Sequence, residues 1–158
     1  MHLRQMNQKI YNAILAISLI ALSSAFFIEY ILGHQPCNLC ILERVPYALS
    51  TLIILSYYKF NLKETNLVKI LIIIFVSGSI LSVYHFGIEQ GLIEESFVCS
   101  ASDNVTLNKE QLLKELQKMT VSCKNVTFRI LGLSLTTYNI LLSVIISAIL
   151  LRIYVKQK

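Results

Sequence analysis

The sequence predicts an all-α membrane protein: a four-transmembrane-helix bundle with a short amphipathic helix in its second outward-facing loop. Three observations lead there. Of 158 residues, 55% are hydrophobic. The apolar residues fall in long blocks instead of scattering as in a soluble core. The basic residues gather on one side of those blocks.

The blocks are 10–32, 41–60, 70–88 and 130–151, and at ~20 residues each is long enough to cross a bilayer. The first carries Glu29 near its end and the second carries Glu43 and Arg44 at its start, while the third and fourth hold no formal charge. The first run extends several residues past Ser23-Ser24-Ala25, so it reads as a retained span and not as a cleaved signal segment. Ala21/Ala25, Gly78/Ser82 and Ser143/Ser147 are small-xxx-small pairs that let helices approach closely. Residues 1–158 therefore read as a single integral membrane domain.

Orientation follows from charge. Arg4, Lys9, Lys59, Lys63, Lys69, Arg152, Lys156 and Lys158 share one side with Glu64 as their only acid. The segment 89–129 has five basic and six acidic residues, a net charge of −1. The positive-inside rule puts both termini in the cytoplasm and the loops 33–40 and 89–129 outside. Tyr11, Tyr57, Tyr58 and Tyr154 then fall at the inner ends, and Tyr30, Tyr47 and Tyr84 near the outer ends, as interfacial belts do. The formal charge of +5 is accounted for by this topology, so no nucleic-acid partner is expected.

In the first outer loop Gly33 can end a helix and Pro36 stiffens the approach to Cys37. In the second, Asn108 can cap a helix whose apolar positions are Leu112, Leu113, Leu116 and Met119. Tethered at both ends to spans, that helix is expected to lie along the bilayer surface.

All four cysteines fall outside the cytoplasmic regions, where disulfides form and persist. Cys37-Asn38-Leu39-Cys40 is a Cys-x-x-Cys pair, a redox or metal motif. Arg44 follows Cys40 by four residues. If the helix has already begun, both side chains share a face and the guanidinium favours a thiolate. Glu43 opposes that effect, and Pro46 offers a later helix start. Arg44 reads either as an interfacial anchor paired with Glu43 or as a ligand for an electron-rich carbonyl or a thiolate. His85 lies at similar depth. It reads either as a packed, hydrogen-bonded residue or, facing Arg44, as one of two groups holding the oxygens of a quinone and relaying protons. Glu29 is expected at the interface.

Cys99 and Cys123 enclose a loop of about 25 residues. As a structural bridge they would contribute about 3.5 kcal/mol; as an exchanging pair they would meet a soluble dithiol and pass oxidation state to Cys37 and Cys40. A zinc site is disfavoured because there is one Cys-x-x-Cys and no histidine in the large loop.

Several segments together resemble the DsbB family of bacterial inner-membrane thiol oxidases. They are Glu29-Tyr30-Ile31-Leu32-Gly33, the Pro36–Tyr47 stretch containing Cys37, Cys40 and Arg44, Tyr84-His85-Phe86-Gly87-Ile88-Glu89, Cys99-Ser100, and Gly132-Leu133-Ser134 with Tyr138-Asn139. The resemblance covers nearly the whole chain. It implies a thiol:quinone oxidoreductase in the bacterial inner membrane whose catalytic residues are Cys37, Cys40, Cys99 and Cys123. A reduced periplasmic DsbA-like thioredoxin-fold protein would attack Cys99 of a Cys99–Cys123 disulfide. Exchange would reduce the Cys37–Cys40 pair, and Cys40 would deliver electrons to ubiquinone or menaquinone. Arg44 corresponds to the family's quinone-contacting arginine, and His85 matches a His-Gly region with an expected quinone role. A DsbA-type protein has a potential near about −120 mV, so its reoxidation requires an acceptor more oxidising than thiol pools. The chain departs from its relatives in having no Trp.

Three other readings compete. In a vitamin K epoxide reductase-like enzyme the Cys-x-x-Cys usually follows the loop pair, whereas here it comes first. A specialised DsbI-type oxidase would serve one dedicated partner. A four-span membrane assembly protein would carry two static disulfides.

Overall fold

A computed structural model of the chain describes residues 2–60, 63–95, 99, 122–124 and 129–157. The elements are α1 (His2–Tyr30), α2 (Asn38–Leu42), α3 (Val45–Phe60), α4 (Glu64–Glu89), the strands β1 (Arg129–Ile130) and β2 (Leu133–Ser134), and α5 (Leu135–Gln157). Among the described residues, four helical segments are long and apolar enough to cross a membrane: Gln5–Tyr30, Asn38–Phe60, Glu64–Glu89 and Leu135–Gln157. The expected amphipathic helix around 108–119 lies outside the described residues.

The boundaries differ from the sequence reading at every span: α1 runs over His2–Tyr30, and the other three differences have local causes. The third span begins earlier, at Glu64, whose carboxylate sits in the first turn where the helix dipole favours negative charge. The second is interrupted. Residues 43 and 44 form a tight turn between α2 and α3, with the Arg44 N–H donating to the Ile41 carbonyl at 3.1 Å. Pro46, which has no N–H to donate, occupies the first turn of α3. The fourth span starts at Leu135, not Ile130. Residues 129–134 form an antiparallel hairpin pairing Arg129 with Ser134 and Ile130 with Leu133. Its two turn residues, Leu131 and Gly132, both have positive φ, 52° and 82°, the combination that matches a two-residue loop to the twist of its strands.

The helix ends show why the chain turns where it does. After α1, Gly33 takes φ +74°, a backbone state other residues adopt at a cost. At the end of α4, Gly91 (φ +72°) follows the C-cap Gln90, and the Leu92 N–H reaches back to the Gly87 carbonyl at 2.9 Å. That is a Schellman closure, which satisfies carbonyls the helix leaves open.

The bundle has two buried centres. The larger contains Tyr11, Ile54, Leu71, Phe75, Ile146 and Leu150 among others, packed between α1, α3, α4 and α5. Glu64 ties its outer limit together, its Oε1 accepting from Asn7 (2.8 Å), Tyr11 (2.9 Å) and Gln157 (3.0 Å). The expected small-residue approaches are present. Gly78 packs so closely on Pro46 that a Cβ would meet its ring at 3.0 Å, and Ser82 and Ser143 are buried in the α4–α5 contact. Ile20, Phe27, Leu52, Ile73 and Ile80 point outward and stay exposed, as lipid-facing side chains do. The smaller centre contains Cys37, Leu39, Ile88, Cys99 and Cys123 and lies at the other end of the bundle.

Candidate functional site

The site is assembled from the α1–α2 loop, the break between α2 and α3, the last turns of α4 and the first turns of α5. Cys37 is the N-cap of α2: its Sγ accepts from the Cys40 backbone N–H at 3.2 Å. The side chain thereby satisfies one of the amides left open at a helix start. Cys40, three residues on, brings its sulfur to 2.6 Å from that of Cys37. Both thiols are unbonded.

The turn at 43–44 sends two adjacent charges in different directions. Glu43 points inward and is 8% exposed; its Oε1 meets His85 Nδ1 at 2.9 Å and its Oε2 accepts from Asn139 Nδ2 at 3.0 Å. Arg44 turns toward α1, pairing with Glu29 at 2.5 Å with its guanidinium 5.4 Å from the Phe26 ring centre. Among the described contacts, then, Arg44 does not pair with Glu43. The expected Cys40–Arg44 face on a continuous helix is interrupted by the turn.

His85 is buried, with its Nε2 3.5 Å from Cys37 Sγ. From there a polar chain runs through the bundle. Asn139 Nδ2 also donates to Ser82 Oγ at 2.8 Å, and the Tyr47 hydroxyl donates to Asn139 Oδ1. A side branch leaves His85 through Thr136, whose Oγ1 lies 3.3 Å from Nδ1 and donates to Glu89 Oε1 at 2.6 Å. Buried polar groups persist in an apolar interior when each finds a partner, and here almost all do.

The second cysteine pair is bonded. Cys99 and Cys123 form a disulfide with a Cα separation of 5.4 Å, buried in the same cluster as Cys37. Glu95 fixes its flank, accepting from the Ser122 hydroxyl and, at 3.0 Å, from the Lys124 N–H. Two pairs more than fifty residues apart in sequence are thus held at one end of the bundle.

These residues border a cleft of about 700 Å³. Cys37, Cys40, Arg44, His85, Asn139 and Cys123 face it, and apolar side chains of α1 close its far wall. Cys37 precedes the second span, and its thiol is lowered from 9.0 to about 5. The hydrogen bond from Cys40 is the main cause, followed by that from His85, against the opposing effect of burial. Cys37 is therefore a thiolate at neutral pH whenever the pair is reduced.

Cys37, Cys40 and His85 also bring three metal-ligand atoms within 4.8 Å of one another. Tetrahedral zinc with Zn–S of about 2.3 Å separates two sulfurs by about 3.8 Å, so the 2.6 Å approach seen here is too close for two thiolates on one zinc.

The family model for disulfide bond formation protein DsbB matches residues 7–153. The chain belongs to the DsbB family. It is also 36% identical over 150 residues to an uncharacterized protein of Rickettsia prowazekii (strain Madrid E), a match covering 90% of this chain and 86% of that one. As a DsbB family member with four candidate spans, it is a multi-pass membrane protein with an oxidoreductase role in disulfide bond formation.

The six site residues expected from the sequence, Cys37, Cys40, Arg44, His85, Cys99 and Cys123, converge on this one region of the DsbB fold. Residue patterns did not single out Thr136, Ser82 or Glu89 as parts of the network. The available signal for Glu89 was a carboxylate at the mouth of an uncharged span, where burial requires a reason.

Proposed function

We propose that this protein oxidises a periplasmic DsbA-like thioredoxin-fold dithiol protein and passes the electrons to membrane quinone. The observation that carries the reading is one cleft faced by a free dithiol, by one member of a disulfide, and by an arginine and a histidine. The Cys99–Cys123 disulfide exchanges with the incoming dithiol, and the Cys37–Cys40 pair is reduced in turn. In that second exchange the opened outer pair supplies the attacking thiolate, and the lowered thiol of Cys37 makes it the better leaving sulfur of the inner disulfide.

The cleft suits a quinone ring. Its walls are mostly apolar, and Arg44 and His85 supply N–H donors of the kind that hold two carbonyl oxygens. A bound quinone, ubiquinone or menaquinone, would supply the acceptor for two electrons and two protons. Arg44 would hold one of its oxygens without losing Glu29, because a guanidinium has five donors in a planar fork. His85 is buried between Cys37 and Glu43 and moves or holds a proton at Nε2. The charge asymmetry of the sequence supports an orientation with both termini in the cytoplasm and the cysteine end in the periplasm, as for a protein of the bacterial inner membrane.

Arg44→Ala is expected to raise the KM for quinone by about tenfold, the scale of a charge-assisted hydrogen bond of about 1.5–3 kcal/mol. Cys99–Cys123 should remain formed in that variant. Steady-state quinone titration checks this, and an unchanged KM removes Arg44 from the site.

Trapping tests the reading as a whole. With Cys123→Ser, an incoming dithiol protein that attacks Cys99 has no resolving sulfur on the same loop. A Cys99-linked mixed disulfide with a soluble thioredoxin-fold protein should accumulate in cells. If none accumulates, and the wild-type protein leaves quinone oxidised when given reduced dithiol protein, both disulfides are static and the assembly-protein reading holds.

A further inference from the structure

Reducing a disulfide to two thiols takes up two electrons and two protons. In this site the reduced sulfurs hold fewer than two protons at neutral pH, because Cys37 stays ionised. A carrier that must later deliver two electrons with two protons needs somewhere close by for the second proton. His85 is the nearest base to Cys37, but its Nδ1 is engaged by Glu43 at 2.9 Å and both oxygens of Glu43 are taken.

Glu89 differs. Its side chain is 5% exposed, and its Oε1 lies 3.8 Å from His85 Nε2, on the side that faces Cys37. Thr136 fixes Oε1 by a 2.6 Å hydrogen bond. The other oxygen, Oε2, is fully buried and has no hydrogen-bond partner among the described residues. The carboxyl group borders the cleft. A proton placed on that oxygen would make it a hydroxyl, giving the group a place to hold one beside the cleft.

We propose that Glu89 is the proton store of the inner dithiol, protonated when Cys37–Cys40 is reduced and deprotonated when the disulfide re-forms. The inference rests on the quinone-oxidase reading for its second half-step only. In the first half-step an incoming dithiol loses two electrons and two protons and becomes a disulfide. The Cys37–Cys40 bond breaks, Cys40 takes one proton, and the other passes by His85 Nε2 to Glu89. In the second, the Cys37–Cys40 bond re-forms, the electron pair goes to the quinone, and the protons of Cys40 and Glu89 go to its two oxygens. Glu89 acts through His85, as a positioning and relay residue.

The first half-step is observable with no quinone present. Full-length protein in lipid, freed of quinone, is reduced with a small dithiol, and the infrared difference between reduced and oxidised states is recorded. The wild-type protein should gain a protonated-carboxyl C=O band on reduction. Glu89→Gln should lose that band, and Glu89→Asp should keep one. Turnover with quinone should fall by roughly a hundredfold in Glu89→Gln, the lower end of acid–base contributions, and recover in part in Glu89→Asp. Absence of the band in the wild-type protein, or its persistence in Glu89→Gln, overturns the proposal. Should Glu89→Gln not assemble, Thr136→Val removes only the hydroxyl donating to Oε1 and must shift the band; an unshifted band overturns the assignment equally. A wild-type protein that shows the band but never reduces quinone sinks the oxidase reading and leaves the proton store standing.

Discussion

Cys37→Ser is expected to abolish quinone reduction, a loss of at least about a thousandfold, the scale of deleting an essential nucleophile. Serine keeps the cap geometry, since a hydroxyl also accepts from the Cys40 N–H. What it lacks is the capacity to exchange sulfur. The Cys99–Cys123 pair should stay reduced once an incoming dithiol has opened it, because its electrons leave only through the inner pair. Anaerobic absorbance of added quinone, with thiol counting on the same sample, reads both outcomes. Substantial turnover in Cys37→Ser would mean that electrons bypass the inner pair.

The state of Cys37 in the reduced wild-type protein has its own pH signature. Its thiol sits at about 5 where an ordinary one sits at 9.0, so the folded protein gives up that proton at lower pH than the unfolded chain does. The contribution to stability is fully present above about pH 9, diminishes as pH falls, and is gone below about pH 5. Alkylation of Cys37 should follow the same ionisation, staying on a plateau at neutral pH and dropping about tenfold per unit below about 5.

His85→Ala is expected to be the most destabilising single substitution in the site. His85 is 1% exposed and Glu43 8% exposed, and removing one member of such a pair strands the other as a buried charge, at a cost of about 3–5 kcal/mol. Adding Glu43→Gln should recover part of the loss, since glutamine keeps an acceptor for Asn139 without the charge. Alkylation should report a second effect: without the His85 hydrogen bond, the Cys37 plateau retreats to higher pH. Unfolding in mixed detergent micelles compares the stabilities. If the single and double variants unfold alike, the Glu43–His85 contact is not a coupled pair.

Much of this was legible in the sequence. Hydropathy reports transfer from water to lipid, a property of a segment rather than of a geometry, so four apolar blocks were enough to give four spans. Cysteine placement and basic asymmetry likewise act at the level of segments. Side-chain pairing across helices depends on how each helix is rotated about its axis. Where a span is apolar all round, as α4 is over residues 70–84, the sequence does not specify that rotation. That is why the contact of His85 with Cys37, and the partnering of Arg44 by Glu29 instead of Glu43, emerged only in three dimensions. Pro46 did carry a signal, because a residue without an N–H fits the first turn of a helix. Read that way, it separates Cys40 from Arg44, as the turn at 43–44 does. The hairpin at 129–134 was hidden inside an apolar run, since two-residue turns depend on φ and only Gly132 advertised it.

The measurement that bears most directly on the account is made anaerobically on purified protein in a bilayer containing quinone. A reduced DsbA-like thioredoxin-fold protein is added, and its disulfide and the quinol are quantified together. The expected result is disulfide and quinol in equimolar amounts, with Cys37, Cys40, Cys99 and Cys123 each passing through a reduced state. If the added protein stays reduced, the quinone stays oxidised and the Cys99–Cys123 bond never opens, the two cysteine pairs are not connected to an acceptor.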